Sequence, residues 1–189
     1  MAVTARGANR GPAAARENRA ALLAAAREVF AEYGADAPLR LIAQRAGVGK
    51  GSLYRHFPTR SAVIVAVFED HVAALERFAA RPDTTVEDVL GQVVNRLVDS
   101  VAFIAVLDPD DSSDPRLYEP GQRVIALLAA KLADPGLRAG LRPGLTVDEA
   151  FLAVSMLAAL LHSTPSGERA QAARRGWELL LRALRDPAS

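Results

Sequence analysis

Between Leu41 and Arg60 the chain reads LIAQRAGVGKGSLYRHFPTR, two short apolar-periodic segments hinged on a glycine, and few folds accept that arrangement. Ile42, Ala43 and Ala46 recur at helical spacing, Gly47 supplies a backbone free to turn, and Val48, Leu53 and Phe57 offer apolar groups to a core. Ala43, Gly47 and Leu53 follow one another in the order that a helix-turn-helix requires: a small residue where the helices touch, a turn glycine and a branched apolar anchor. With Leu53 and Phe57 facing inward, a step of about 100° per residue turns Gly51, Ser52, Tyr54 and Arg55 outward and leaves Lys50 at the amino end of the second helix.

That outward strip suits nucleic acid. Lys50 and Arg55 can donate to guanine O6 and N7, Ser52 can serve several bases, and Gly51 lets the backbone come close. Tyr54, His56 and Arg60 lie where the helix would leave the groove, and their hydroxyl, imidazole and guanidinium suit phosphate oxygens, which fix register rather than sequence. Arg40 falls in the first turn of the preceding helix, where a cation meets the positive end of the macrodipole. A phosphate or a base edge would compensate it.

These residues resemble the DNA-binding domain of the TetR family of bacterial transcriptional regulators, whose pattern recurs as Ile42-Ala43, Ala46-Gly47-Val48, Gly51-Ser52-Leu53-Tyr54, His56-Phe57 and Arg60. The specific part covers about a third of the chain, from near Arg16 to near Phe78. The resemblance implies an all-α dimer with an N-terminal three-helix helix-turn-helix head and a larger helical domain for ligand sensing and dimerisation. Two departures weaken the helix starts: Gly49 replaces the Ser that usually caps the recognition helix, and Ala37 stands where Thr or Ser often caps the helix before it. Loss of a side-chain cap costs ~1 kcal/mol when Ala replaces it and a few tenths when Gly does. Pro38, preset for a first helical position, offsets part of that.

Charge is distributed as DNA binding demands. Residues 1–60 hold 10 Arg or Lys against 4 Asp or Glu, whereas residues 61–189 hold 13 against 18, so a net charge of +1 conceals a basic head on an acidic body. The absence of cysteine excludes disulfides, thiolate metal sites and Cys nucleophiles. Residues 1–15 lack the apolar run of a signal sequence, and the longest apolar stretch, Ala150 to Leu161, is too short for a bilayer. The expectation is a soluble cytoplasmic protein.

Helical periodicity continues throughout. Residues 1–15 read as a disordered basic arm, residues 16–58 as the head and residues 59–189 as the sensing and dimerisation domain. The first helix is expected from Arg16 to Tyr33 with Gly34 as its stop, and a long helix from Thr59 to Ala80 should join head to body. Thr84 with Glu87, and Thr146 with Glu149, match the capping-box pattern at two further helix starts. A helix is expected over 122–133, and another from Thr146 to His162 is apolar on nearly every side, so it must bury one face in its own core and another elsewhere. The TetR resemblance implies that this helix and the last one, expected over 166–185, pair with a second subunit in a four-helix bundle.

No catalytic constellation emerges, and neither a cofactor nor a metal is expected. The run from Gly47 to Ser52 lacks the first glycine of a phosphate loop and follows a helix rather than a strand. Asp108, Asp110, Ser112, Asp114 and Glu119 match the ligand positions of an EF-hand loop, but Ser113 stands at the turn glycine and Pro115 removes a donor, which favours a solvated acidic loop. The resemblance implies an effector cavity beside the long connecting helix. Phe68, His71, Phe103, Met156 and His162 are the candidate lining residues, and the apolar composition points to a lipophilic or aromatic effector. The expected function is a ligand-responsive regulator, a repressor binding a palindromic operator as a dimer and released by a small molecule. The alternative is a small-molecule binding protein whose helix-turn-helix is not used for DNA.

Overall fold

The computed structural model describes residues 11–99, 116, 118–138, 140–165 and 167–185. Among them the secondary structure is helical: α1 Pro12–Tyr33, α2 Leu39–Arg45, α3 Lys50–His56, α4 Arg60–Ala79, α5 Val86–Asp99, α6 Tyr118–Ala133, α7 Val147–His162 and α8 Arg169–Leu184, with a 3-10 turn at Pro135–Leu137.

The first helix begins earlier than its periodicity suggests. Pro12 occupies the first turn, where its missing N–H costs nothing, so residues 12–15 belong to α1 rather than to an arm. Residues 1–10, the rest of the expected arm, lie outside the described residues. At the other end Gly34 takes a φ of 84° and its N–H returns to the Phe30 carbonyl at 3.0 Å, closing the helix as expected. Gly47 plays the same part between α2 and α3: with φ at 65°, it lets the Val48 N–H reach the Ala43 carbonyl at 3.0 Å.

The helix starts revise two sequence expectations. Pro38, not Ala37, is the residue before α2, and α2 has no side-chain cap. The box expected at Thr84 and Glu87 forms one residue later: the Thr85 N–H and hydroxyl donate to Asp88 Oδ2 at 2.9 and 2.7 Å, and the Asp88 N–H returns to the Thr85 hydroxyl at 3.1 Å. Thr84 is buried instead, and its hydroxyl donates to the Phe78 carbonyl at 3.1 Å, so it ties the end of α4 to the start of α5. Thr146 and Glu149 form the expected reciprocal box. Helix α6 starts at Tyr118, four residues ahead of expectation, and takes Glu119 into its first turn. The rest of the expected acidic loop, apart from Arg116, lies outside the described residues.

Among the described residues two hydrophobic cores result. The head core gathers Leu22, Ala26, Val29 and Phe30 of α1 with Ile42, Leu53 and Phe57. The body core gathers α5, α6 and α7 around Leu90, Leu97, Leu128, Leu157 and Leu161. Helix α4 enters both, giving Val63, Ala66 and Val67 to the head and Phe68, Val72, Leu75 and Ala79 to the body. The packing boundary therefore runs through α4, several residues beyond the division expected at residue 58.

His71 is buried on α4 at 3% exposure. Burial first, then the cations Arg96 and Arg27, push its pKa down to about 4 against the opposing pull of Asp70. The unfolded chain therefore binds the extra proton between pH 6.5 and 4 while the folded one does not, so stability is retained above this window and lost as pH falls through it. We expect the parent protein to lose about 2 kcal/mol more than His71→Gln between about pH 7 and about pH 5. Urea titrations at the two pH values check this, and parallel losses in both proteins would refute it.

Candidate DNA interface

Helix α3 separates its residues by environment as its period requires. Leu53 and Phe57 are each 1% exposed, whereas Lys50, Gly51, Tyr54 and Arg55 are exposed and Ser52 and His56 half-buried. Gly49 precedes the helix without a side-chain cap, and neither α2 nor α3 carries an acid in its first turn. Arg40 and Lys50 thus stand at two helix starts with no acid in the same first turn to offset them. Both line one cleft of about 260 Å³ between α2 and α3, together with Tyr54, above a base of Ala43 and Leu53. Two cations and a phenol around an open cleft have the chemistry to receive an oxyanion such as a phosphate.

Other basic residues hold this surface in place. Arg45, in the last turn of α2, donates to Glu32 of α1 at 2.8 Å and comes within 4.0 Å of Glu28. Hydrogen bonds from Tyr33 and from Arg45 hold the Glu32 carboxyl below its usual range. Arg60 Nη1 donates to the carbonyls of Ala35 and Ala37, both at 2.6 Å, and so fixes the link between α1 and α2 from the first residue of α4. Its expected contact with phosphate is therefore joined by an internal bracing role that periodicity does not reveal. Arg19 of α1 is exposed and stacks its guanidinium 4.8 Å from the Phe57 ring centre, which adds a cation beside the end of α3. Sequence reasoning missed it because its partner is 38 positions away, and only the basic character of α1 hinted at it.

The candidate effector residues are not brought together. Phe68 and His71 are buried on α4. Met156, at 58% exposure, and His162 instead face outward from α7, so within one chain they cannot line an internal cavity. The reason is that α7 is apolar on two sides, and Met156 belongs to the outer one. Phe103 lies outside the described residues. Among those residues no group of acids and histidines could hold a metal, and no helix is long and apolar enough to cross a membrane.

Residues 22–67 match the family model described as bacterial regulatory proteins, tetR family. The HTH-type transcriptional regulator TtgW of Pseudomonas putida, itself uncharacterized, is 37% identical over 95 residues, which span 50% of this chain and 70% of TtgW. The crystal structure of the TetR transcriptional regulator SCO0520 from Streptomyces coelicolor superposes with a TM-score of 0.61 at 31% identity, covering 89% of this chain and 99% of that one. The chain belongs to the TetR family. A further structure, solved for the molecular basis of control of antibiotic production by bacterial hormones, aligns with a TM-score of 0.59 at 28% identity over 90% of this chain and 98% of its own. This TetR-family member is accordingly a non-enzymatic, DNA-binding transcriptional regulator.

Removing the Arg60 brace should be felt in stability as well as binding. Arg60→Ala is expected to lower unfolding free energy by about 1 to 2 kcal/mol, because two part-buried carbonyls lose their donor, and to weaken all DNA sequences alike. Thermal unfolding and DNA titrations check both, and an unchanged melting temperature would remove the bracing role.

Proposed function

We propose that this regulator is a homodimeric, ligand-responsive cytoplasmic repressor that binds a palindromic operator through α3 and leaves it when a small molecule occupies the body. The observation that supports it most is the division of α3 into an anchored apolar side and an outward side bearing Lys50, Ser52, Tyr54 and Arg55. On this reading Lys50, Ser52 and Arg55 meet base edges while Gly51 permits close approach, and Arg40, Tyr54, His56 and Arg60 meet phosphates. Arg19 joins the phosphate group.

The dimer is supported by an apolar strip that one chain leaves exposed. Leu152, Met156 and Leu160 recur every four residues along α7 at 59%, 58% and 46% exposure, and Leu179 of α8 is 65% exposed. Pairing α7 and α8 with their copies buries this strip, and a two-fold axis then presents two heads to half-sites about one DNA turn, ~34 Å, apart. Ligand control is supported by the resemblance to the hormone-linked regulator above, and a lipophilic or aromatic effector fits the apolar body.

Two experiments test the reading. Arg55→Ala should weaken operator binding by about 1 to 3 kcal/mol and relax sequence preference, while Arg40→Ala should weaken all sequences and lower the salt slope by about 1. Fluorescence anisotropy against a selected operator and scrambled DNA measures both, and intact affinity in both variants would sink the assignment. Met156→Glu should shift the protein to monomer in sedimentation velocity and lose operator affinity with its fold intact, whereas a stable Met156→Glu dimer would place the subunit contact elsewhere.

A further inference from the structure

On the outer side of α5 lies a cleft of about 720 Å³, bounded by α8 and open to solvent. Helix α5 contributes Gly91, Gln92, Asn95 and Arg96, and α8 contributes Arg174 and Trp177. The apolar base comes from Val98 and the buried Ala173. We propose that this cleft is a binding site for a small planar carboxylate, a flat apolar body carrying one anionic group.

Each part of the lining points to that chemistry. Arg96 and Arg174 both line this cleft, neither has an ion-pair partner among the described residues, and no acid is among the described lining residues. Two guanidiniums lining one cleft favour an anion within it, and a carboxylate matches their planar donor geometry. Trp177 is half-buried and offers an indole wall on which a flat ring can stack. The amides of Gln92 and Asn95 supply further donors and acceptors. The volume falls within the range of small-molecule sites and exceeds what a single benzoate ring fills, so a body of two or three rings fits best.

Gly91 supports the same reading. A glycine inside a helix costs about 1 kcal/mol relative to alanine, and a Cβ placed at Gly91 would meet nothing within 4 Å. Close packing of protein does not explain the missing side chain. Its effect is to leave the cleft wall open to an occupant.

The position is also one from which DNA binding can be controlled. Helix α5 touches α1 of the head as well as α4. On α8, steps of about 100° place Leu179 roughly opposite Trp177, so one helix carries the cleft on one side and the exposed apolar strip on the other. This inference deepens the ligand-responsive reading by naming the ligand class, and it rests on that reading only for the effect on DNA.

Trp177 is the single tryptophan of the chain, so its fluorescence reports on this cleft alone. The probe is 6-nitro-2-naphthoate, a quenching flat anion, compared with the neutral 6-nitro-2-naphthamide on the full-length protein. Saturable quenching by the carboxylate is expected, with the amide at least about tenfold weaker; Arg96→Gln and Arg174→Gln should each weaken the carboxylate by about tenfold and leave the amide unchanged. Gly91→Leu should abolish quenching by both while the melting temperature holds or rises, which separates a filled cleft from a damaged fold. Equal affinity for carboxylate and amide, undiminished binding in Gly91→Leu, or no saturable quenching up to the solubility limit would each overturn the proposal. A protein that binds the probe at Trp177 yet never binds DNA would remove the regulator reading and leave the cleft standing, and one that binds DNA but not the probe would do the reverse.

Discussion

Everything in this molecule depends on α4 being buried from two sides. Val63, Ala66 and Val67 enter the head core, while Val65, Phe68, Val72, Leu75 and Ala79 enter the body core. At about 100° per residue these two sets point to nearly opposite sides of the helix. Neither core can therefore close without α4, and a tilt or rotation of α4 is registered in both. Polar ties reinforce the arrangement: Arg27 of α1 pairs with Asp70, and Arg123 of α6 holds Glu76 in a two-pronged pair, with Nε to Oε1 at 2.8 Å and Nη2 to Oε2 at 2.5 Å. The head is thus joined to the body by a shared packed helix rather than by a flexible linker. Close-packed interiors transmit displacement because they have no slack to absorb it.

Sequence pattern revealed most of this, and its failures have physical causes. Helix existence followed from apolar periodicity, and the outward strip of α3 followed from fixing Leu53 and Phe57 inward. The slip at the start of α5 arose because TTVED satisfies the capping pattern in two registers, Thr84 with Glu87 and Thr85 with Asp88. Burial decides between them. Thr84 is needed at the floor of the α4 to α5 turn, where its hydroxyl meets the Phe78 carbonyl, and only Thr85 remains free to cap. The early start of α1 was hidden for another reason: residues 12–15 are exposed or only half-buried, so no apolar stripe marks them, and Pro12 alone signals the start.

Long-range pairings were less legible. Arg60 and the carbonyls of Ala35 and Ala37 lie more than twenty positions apart, and carbonyls carry no sequence signature. Nothing short of the folded link shows that a residue suited to phosphate is also a brace. Met156 failed as a cavity residue because a helix apolar on all sides reveals that two faces are covered, but not which face meets its own core. Gly176 now settles the inner face: a Cβ there would stand 2.7 Å from Leu157 Cδ1, so α7 and α8 touch closely on that side and leave Met156 outside.

That close contact bears on how a ligand could act at a distance. Helix α8 cannot move away from α7 without losing the fit at Gly176 and Leu157, so an occupant between α5 and α8 would displace α7 and α8 together relative to α5. The strip bearing Leu152, Met156 and Leu160 moves with them, and the two halves of a dimer would be re-angled at their seam. On the other flank α5 touches α1, so the same displacement is felt at the head. A ligand shifts such an equilibrium only by its difference in affinity for the two arrangements, typically about 1 to 3 kcal/mol, and DNA must then weaken the ligand by the same factor. A cleft formed by two helices, one leading to the proposed subunit seam and one touching α1 of the head, would let both ends respond to a single occupant.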